Sequence, residues 1–180
     1  MMVSIDGYFE GPNHDLSWHN VNAEFNAFAH EQNNNALVDT ILMGHRTYDL
    51  MEGVWPKSQG MAMDPETARF MNETPKVIAT RTPFTPTWTN VTVVGGDVVG
   101  GITKLKAQPG KDVVILGSNE LCVSLMEKDL VDEFRLMVNP IALGAGTQLF
   151  AGLSKRVKLN RMKTREFASG NVLNCYVLAK

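Results

Sequence analysis

The chain is predicted to fold as an α/β protein with a mostly parallel central sheet and an antiparallel edge hairpin at its C-terminal end. Two observations predict this. Short, continuous apolar runs alternate with segments of helical periodicity through most of the chain, as buried parallel strands joined by crossover helices require. Two longer β-runs, Val157 to Phe167 and Val172 to Leu178, are separated only by Ser169-Gly170-Asn171, a turn signal that closes a hairpin. At 180 residues, 44% apolar and 20% charged, one buried core needs no covalent staples. No repeat or linker divides the chain, so residues 1–180 are expected to form a single domain.

In order, Val3 to Ile5 reads as a short first strand that begins almost at the N-terminus and turns at Asp6-Gly7. Glu10 to Asn20, with Gly11-Pro12, is expected as a long exposed loop. Asn20 is expected to cap a helix in which Val21, Phe25, Phe28 and Ala29 share a face and Glu24 sits in the first turn, with the Asn33-Asn34-Asn35 run ending it. Thr40 to Met43 is a strand that passes at Gly44-His45-Arg46-Thr47 into a brief helix through Met51. Trp55 to Met63 shows no period and is expected as a surface loop. Asp64-Pro65 predicts an N-cap followed by proline in the first helical position. Val77 to Ala79 and Val91 to Val94 are strands, the second followed by a helix bearing Val98, Ile102 and Leu105. Val113 to Leu116 then ends at Gly117-Ser118 before a helix carrying Leu121, Leu125 and Met126, and Phe134 to Val138 is a strand stopped by Pro140.

A formal charge of -2 with interspersed Lys and Arg leaves no basic stripe, which argues against nucleic acid. The N-terminus has neither a basic lead nor a long apolar core, and no run elsewhere is long enough for a bilayer, so a cytoplasmic protein without membrane attachment is expected. The two cysteines, Cys122 and Cys175, lie in apolar segments and suit buried reduced thiols. His14, His19, His30 and His45 form no ligand pattern, and no metal site is expected.

Ligands of open α/β sheets collect beyond the carboxyl ends of strands, where helix N-termini present amide donors. Here those ends carry Gly44 and Gly117 for close backbone approach, hydroxyls from Thr47, Thr80, Thr82 and Ser118, and cations from Arg46 and Arg81. That set suits a pyrophosphate, and a second arginine suits a ribose 2′-phosphate, favouring NADP over NAD. Neither Gly95 to Gly100 nor Gly144 to Leu149 completes a G-x-G-x-x-G fingerprint, which disfavours a standard Rossmann domain. Reduction with a nicotinamide needs a proton source, and a partly buried carboxylate of raised pKa can serve. Asp6 and Glu24 are the candidates, although Asp-Gly is also a common turn and a first-turn Glu is also explained by the helix dipole. Trp18, Tyr48 and Trp55 are candidate walls for a flat substrate, and Phe28 reads as core.

Ser4-Ile5-Asp6-Gly7, Leu42 to Tyr48, Lys76 to Thr82, Ile115 to Ser118, Leu130 to Leu136 and Asn139 to Gly144 occur in an order that resembles the dihydrofolate reductase superfamily, over nearly the whole chain. The branch it is most similar to is the C-terminal reductase domain of the riboflavin-biosynthesis deaminase/reductase. The resemblance implies a three-layer fold with helices on both faces of the sheet. It implies that Gly44, His45, Arg46 and Thr47, with Thr80, Arg81 and Thr82, hold the phosphates and adenosine ribose of NADP(H). It implies further that Gly117-Ser118 lies against the pyrophosphate, with Asn119 and Leu121 completing the cofactor set. Ser118 replaces a second glycine, and His45-Arg46 replaces the usual cationic pair. The expected function is NADPH-dependent reduction of a pteridine, pyrimidine or related conjugated small molecule. The alternatives are 5-amino-6-(5-phosphoribosylamino)uracil reduction in riboflavin biosynthesis and, from another class, a non-catalytic nucleotide sensor or scaffold. A homodimer is also implied, with the apolar C-terminal β-runs as edges to pair.

Overall fold

The computed structural model describes residues 1–34 and 36–179, so the Asn35 end of the expected helix stop lies outside the described residues. In chain order the elements are β1 (Met2–Val3), β2 (Tyr8–Glu10), a 3-10 turn (Pro12–His14), α1 (Ala23–Gln32), β3 (Val38–Gly44), α2 (His45–Glu52), α3 (Ser58–Met63), α4 (Pro65–Glu73), β4 (Lys76–Thr80), β5 (Val91–Gly95), α5 (Val98–Lys106), β6 (Asp112–Ile115), α6 (Asn119–Met126), β7 (Phe134–Val138), β8 (Thr147–Gln148), β9 (Leu159–Glu166) and β10 (Val172–Leu178). They fall into two compact units, residues 27–121 and residues 1–26 with 122–180.

In the unit of residues 27–121 the strand order is β5-β4-β3-β6 and every pairing is parallel. Helix-covered parallel strands have no wet face, and accordingly Ile41, Leu42, Met43 and Ile78 are almost wholly buried. Tyr48 from α2 and Phe70 and Met71 from α4 pack with Val38, Ile41, Met43, Ile78 and Trp88 into one core. Asp64 caps α4 as expected, accepting from the Glu66 and Thr67 amides, and Asp97 caps α5 through the Gly100 amide. The far end of α4 is closed by Lys76, whose buried ammonium donates to the Met71, Asn72 and Thr74 carbonyls and lies 4.6 Å from the Trp88 ring centroid. Those carbonyls have no partner within the helix, so the cation answers both their lone pairs and the negative end of the dipole.

One expectation here is corrected: residues 58–63, read as loop, form α3. It lacks a capping side chain and an acidic first turn, so its sequence shows no helix signal. It is held instead by close packing at Gly60, where a Cβ would sit 2.8 Å from the Val54 carbonyl oxygen.

The other unit holds a four-stranded sheet, β1-β7-β10-β9, in which β1 runs parallel to β7 while β10 is antiparallel to both its neighbours. The predicted C-terminal hairpin is thus β9 and β10. Its turn is tied to the chain ahead of α1 by buried Asn139 and Asn171: the Asn20 amide donates to Asn139 Oδ1 at 2.9 Å, and Asn171 Nδ2 donates to the Asn20 carbonyl at 2.8 Å. Asn20 is therefore spent on this network, and Asn22 does the capping, its side chain accepting from the Phe25 amide at 2.9 Å. A small sheet of β2 and β8, far apart in sequence, was not legible because two- and three-residue strands carry no period. The view of both C-terminal β-runs as apolar edges is also corrected. β10 is enclosed between β7 and β9, and the outer strand β9 is largely exposed and bears Arg161, Lys163 and Arg165. Like charges on such an edge oppose its pairing with a second copy.

Both cysteine thiols are unbridged, and burial pushes that of Cys122 up to about 11. Among the described residues no helix is long and apolar enough to cross a membrane.

Candidate functional site

In the unit of residues 27–121, the carboxyl ends of β3 and β6 are adjacent because the two strands pair. Gly44 closes β3 and opens α2, its amide donating to the Gly117 carbonyl at 3.1 Å. Gly117 has φ of +132°, a region L residues rarely occupy, and leads through Ser118 into α6. The two junctions interlock. A Cβ on Gly44 would lie 2.9 Å from Ser118 Oγ, and a Cβ on Gly117 would lie 2.9 Å from Thr47 Oγ1. Each glycine thus makes room for the hydroxyl of the other junction. Helices α2 and α6 start at these two junctions, so their first-turn amides, which have no intrahelical partners, lie at this edge of the sheet. Leu121 is buried, so what it can offer a ligand is its first-turn amide rather than its side chain.

β4, beside β3, ends at Thr80. The Thr80 hydroxyl is bonded into the turn, donating to the Thr82 carbonyl at 3.1 Å and accepting the Thr82 amide at 3.2 Å. Arg81 extends into solvent with Nη2 at 2.8 Å from Glu120 Oε2, the Glu120 side chain being 71% exposed. Between the segment from Thr80 to Thr85 and Gly95-Gly96 lies an open groove of about 480 Å³. His45 packs against Phe84 with the rings tilted by 48° and their centroids 4.1 Å apart, and its Nε2 lies 3.6 Å from Asp49 Oδ1. Arg46 is exposed on α2. The sheet therefore brings together every expected cofactor position on one edge of this unit.

The expected substrate walls fare differently. Tyr48 is corrected to a core residue: it is 2% exposed, and its hydroxyl accepts the Thr87 and Trp88 amides, each at 3.0 Å. Its ring has no face left for a ligand. Trp55, half-buried, leans on the same core with its indole N–H on Met51 Sδ at 3.1 Å. Trp18 belongs to the other unit, where its indole donates to the Asp15 carbonyl at 3.0 Å and its ring meets His19 edge-on.

That unit also holds both expected acids. The structure places Asp6 in a turn beside β1. Its carboxylate is exposed and accepts from Ser4 Oγ at 2.6 Å, the Gly144 amide at 2.8 Å and the Leu143 amide at 3.1 Å. These bonds, that of the Ser4 hydroxyl foremost, hold its pKa down at about 2, the opposite of what an acid needs. Glu24, half-buried at the start of α1, accepts the Ala168 amide at 2.9 Å. Sequence reasoning missed Glu10, which is buried and bonded to Thr147 Oγ1 at 2.6 Å and His14 Nδ1 at 3.0 Å. The only sequence signal was the four-residue spacing of Glu10 and His14. It also missed Glu120, the partner of Arg81. Among the described residues no three His, Cys, Asp or Glu side chains are grouped to hold a metal ion.

A parallel sheet with paired helix N-termini at its carboxyl edge, in a chain that ends in the β7-β10-β9 antiparallel arrangement, defines a dihydrofolate-reductase-like α/β protein. The chain belongs to the RibD C-terminal domain family, which matches residues 1–173. The uncharacterized protein YyaP of Bacillus subtilis (strain 168) is 30% identical over 178 residues, 98% of this chain and 91% of that protein. YwjB of the same organism is 27% identical over 98% of this chain and 94% of its own length. Among solved structures, a Shewanella sp. PV-4 protein named for riboflavin biosynthesis superposes with a TM-score of 0.73 at 23% identity, covering 100% of this chain and 97% of that one. Dihydrofolate reductase from Enterococcus faecalis, solved with NADP(H), superposes at 0.67 and 15% identity over 99% and 94% of the two chains. At these identities the superpositions establish the fold.

Proposed function

We infer that residues 1–180 act as one reductase domain that binds NADP(H) along the carboxyl edge of the β5-β4-β3-β6 sheet and reduces a small conjugated heterocycle. The observation that carries this reading is the reciprocal cradle, in which Gly44 and Gly117 each leave no room for a Cβ. It fixes the starts of α2 and α6 side by side, and helix N-termini offer amide donors to an anion such as a pyrophosphate. Gly44, Thr47, Gly117 and Ser118 would hold it with the first-turn amides of α2 and α6. Thr80, Arg81 and Thr82, bordering the groove beside Gly95-Gly96, would take the adenosine ribose and its 2′-phosphate. NADP(H), when bound, supplies a hydride for reduction of C=N, C=C or C=O.

For the proton, the ionised Asp6 is unsuited and Glu24 has the stronger claim, being half-buried with one oxygen engaged by Ala168. Membership in the RibD C-terminal family, and the name of the Shewanella relative, favour a pyrimidine of the riboflavin-pathway type among the heterocycles.

The test is direct. NADPH is titrated against tryptophan fluorescence, and absorbance of the reduced nicotinamide is then followed with pterins and ribosylaminouracils. Saturable binding with turnover of a panel member is expected. Failure to bind NADPH overturns the reading, and binding without turnover across a broad panel replaces it by the sensor.

A further inference from the structure

Arg81 follows β4 and Glu120 lies in the first turn of α6, after β6, yet the two strands are not neighbours: β3 stands between them. Their contact, Nη2 to Oε2 at 2.8 Å, therefore spans the carboxyl end of β3, where Gly44 opens the cradle. A carboxylate presents two oxygens to a guanidinium much as a phosphate does. It also places a negative charge beside the helix N-termini read above as the pyrophosphate seat. We propose that Glu120 is a displaceable stand-in for phosphate, which occupies Arg81 until a phosphorylated cofactor takes its place and so sets how strongly the protein prefers a 2′-phosphate. This rests on the cofactor reading given under Proposed function.

The exposures fit an exchangeable contact. The Arg81 and Glu120 side chains are 82% and 71% exposed, so water screens the pair and a competing dianion can break it cheaply. A buried pair at the same distance would be a structural lock. Among the described residues Glu120 is the hydrogen-bond and ion-pair partner of Arg81, so a phosphate that takes up the guanidinium must displace or share that carboxylate.

The experiment is a double-mutant cycle on the full chain, with dissociation constants for NADPH and NADH read by fluorescence titration. Glu120→Gln keeps the shape of the side chain and removes its charge. It is expected to tighten NADPH about fivefold, the upper range for an exposed pair, and NADH by less than about twofold. In an Arg81→Ala background the same change should have no effect on NADPH. The proposal is overturned if Glu120→Gln leaves NADPH affinity unchanged, or tightens it equally without Arg81, since either result shows no exchange at Arg81. If wild type and variants alike bind neither cofactor, the cofactor reading itself falls, and this inference with it.

Discussion

Gly117 and Thr47 face each other across the seam between β3 and β6: a Cβ on Gly117, at φ +132°, would stand 2.9 Å from the Thr47 hydroxyl oxygen. The matching approach of Gly44 to Ser118 makes the seam reciprocal. Gly117→Ala should therefore combine a backbone penalty of about 2 kcal/mol for an L residue at positive φ with displacement of Thr47. Denaturant unfolding should register the first and NADPH titration the second, as loss of saturable binding. An alanine variant that is as stable as wild type and binds NADPH equally would show that the seam needs no glycine.

Arg81 is read as the 2′-phosphate contact. Arg81→Ala is expected to weaken NADPH by about tenfold or more, the usual size of a lost charge-assisted bond, and NADH only slightly. Equal losses for both cofactors would refute the assignment.

Asp6 clasps the loop at Leu143-Gly144, and its pH dependence follows from the direction of its shift. The folded carboxyl titrates near 2 and the unfolded one near 3.8, so the folded state releases the proton more readily. The stability it contributes is present above about 3.8 and is lost as pH falls through about 2. Thermal melts of wild type and Asp6→Asn should thus differ at neutral pH and converge near pH 2. A difference that stays constant down to that pH would contradict the clasp.

Glu24 offers a way to separate anchoring from acid catalysis. Glutamine at this position can still accept the Ala168 amide through its side-chain oxygen, but it cannot deliver a proton. Glu24→Gln should leave the melting temperature within a degree or so and lower kcat by about a hundredfold, the low end for a positioned general acid. Unchanged kcat would assign Glu24 to the α1 anchor alone.

The elements that were legible are those whose chemistry is local. Asp64-Pro65 announced α4, and Gly44 and Gly117 marked the strand ends because backbone conformation is decided within a few residues. α3 was missed because its helix is held by packing at Gly60 and not by caps or period. Tyr48 was misread because an aromatic after a strand looks the same whether it faces a cleft or the core. Only the Thr87 and Trp88 amides, some 40 positions away, decide it. The low pKa of Asp6 was not legible for a similar reason, since it comes from Gly144 and Leu143 as well as nearby Ser4.

By itself the sequence determined the alternation of buried strands and helices, the closing hairpin and the set of glycines, hydroxyls and arginines at the strand ends, all of which follow from periodicity and from residues with special backbone freedom. Tertiary structure alone decided which of those groups meet. It set Gly44 against Ser118, Gly117 against Thr47, Arg81 against Glu120 and Asp6 against the Leu143 and Gly144 amides. Strand order and long-range hydrogen bonding bring these pairs together from 39 to 138 positions apart, and no local pattern encodes that.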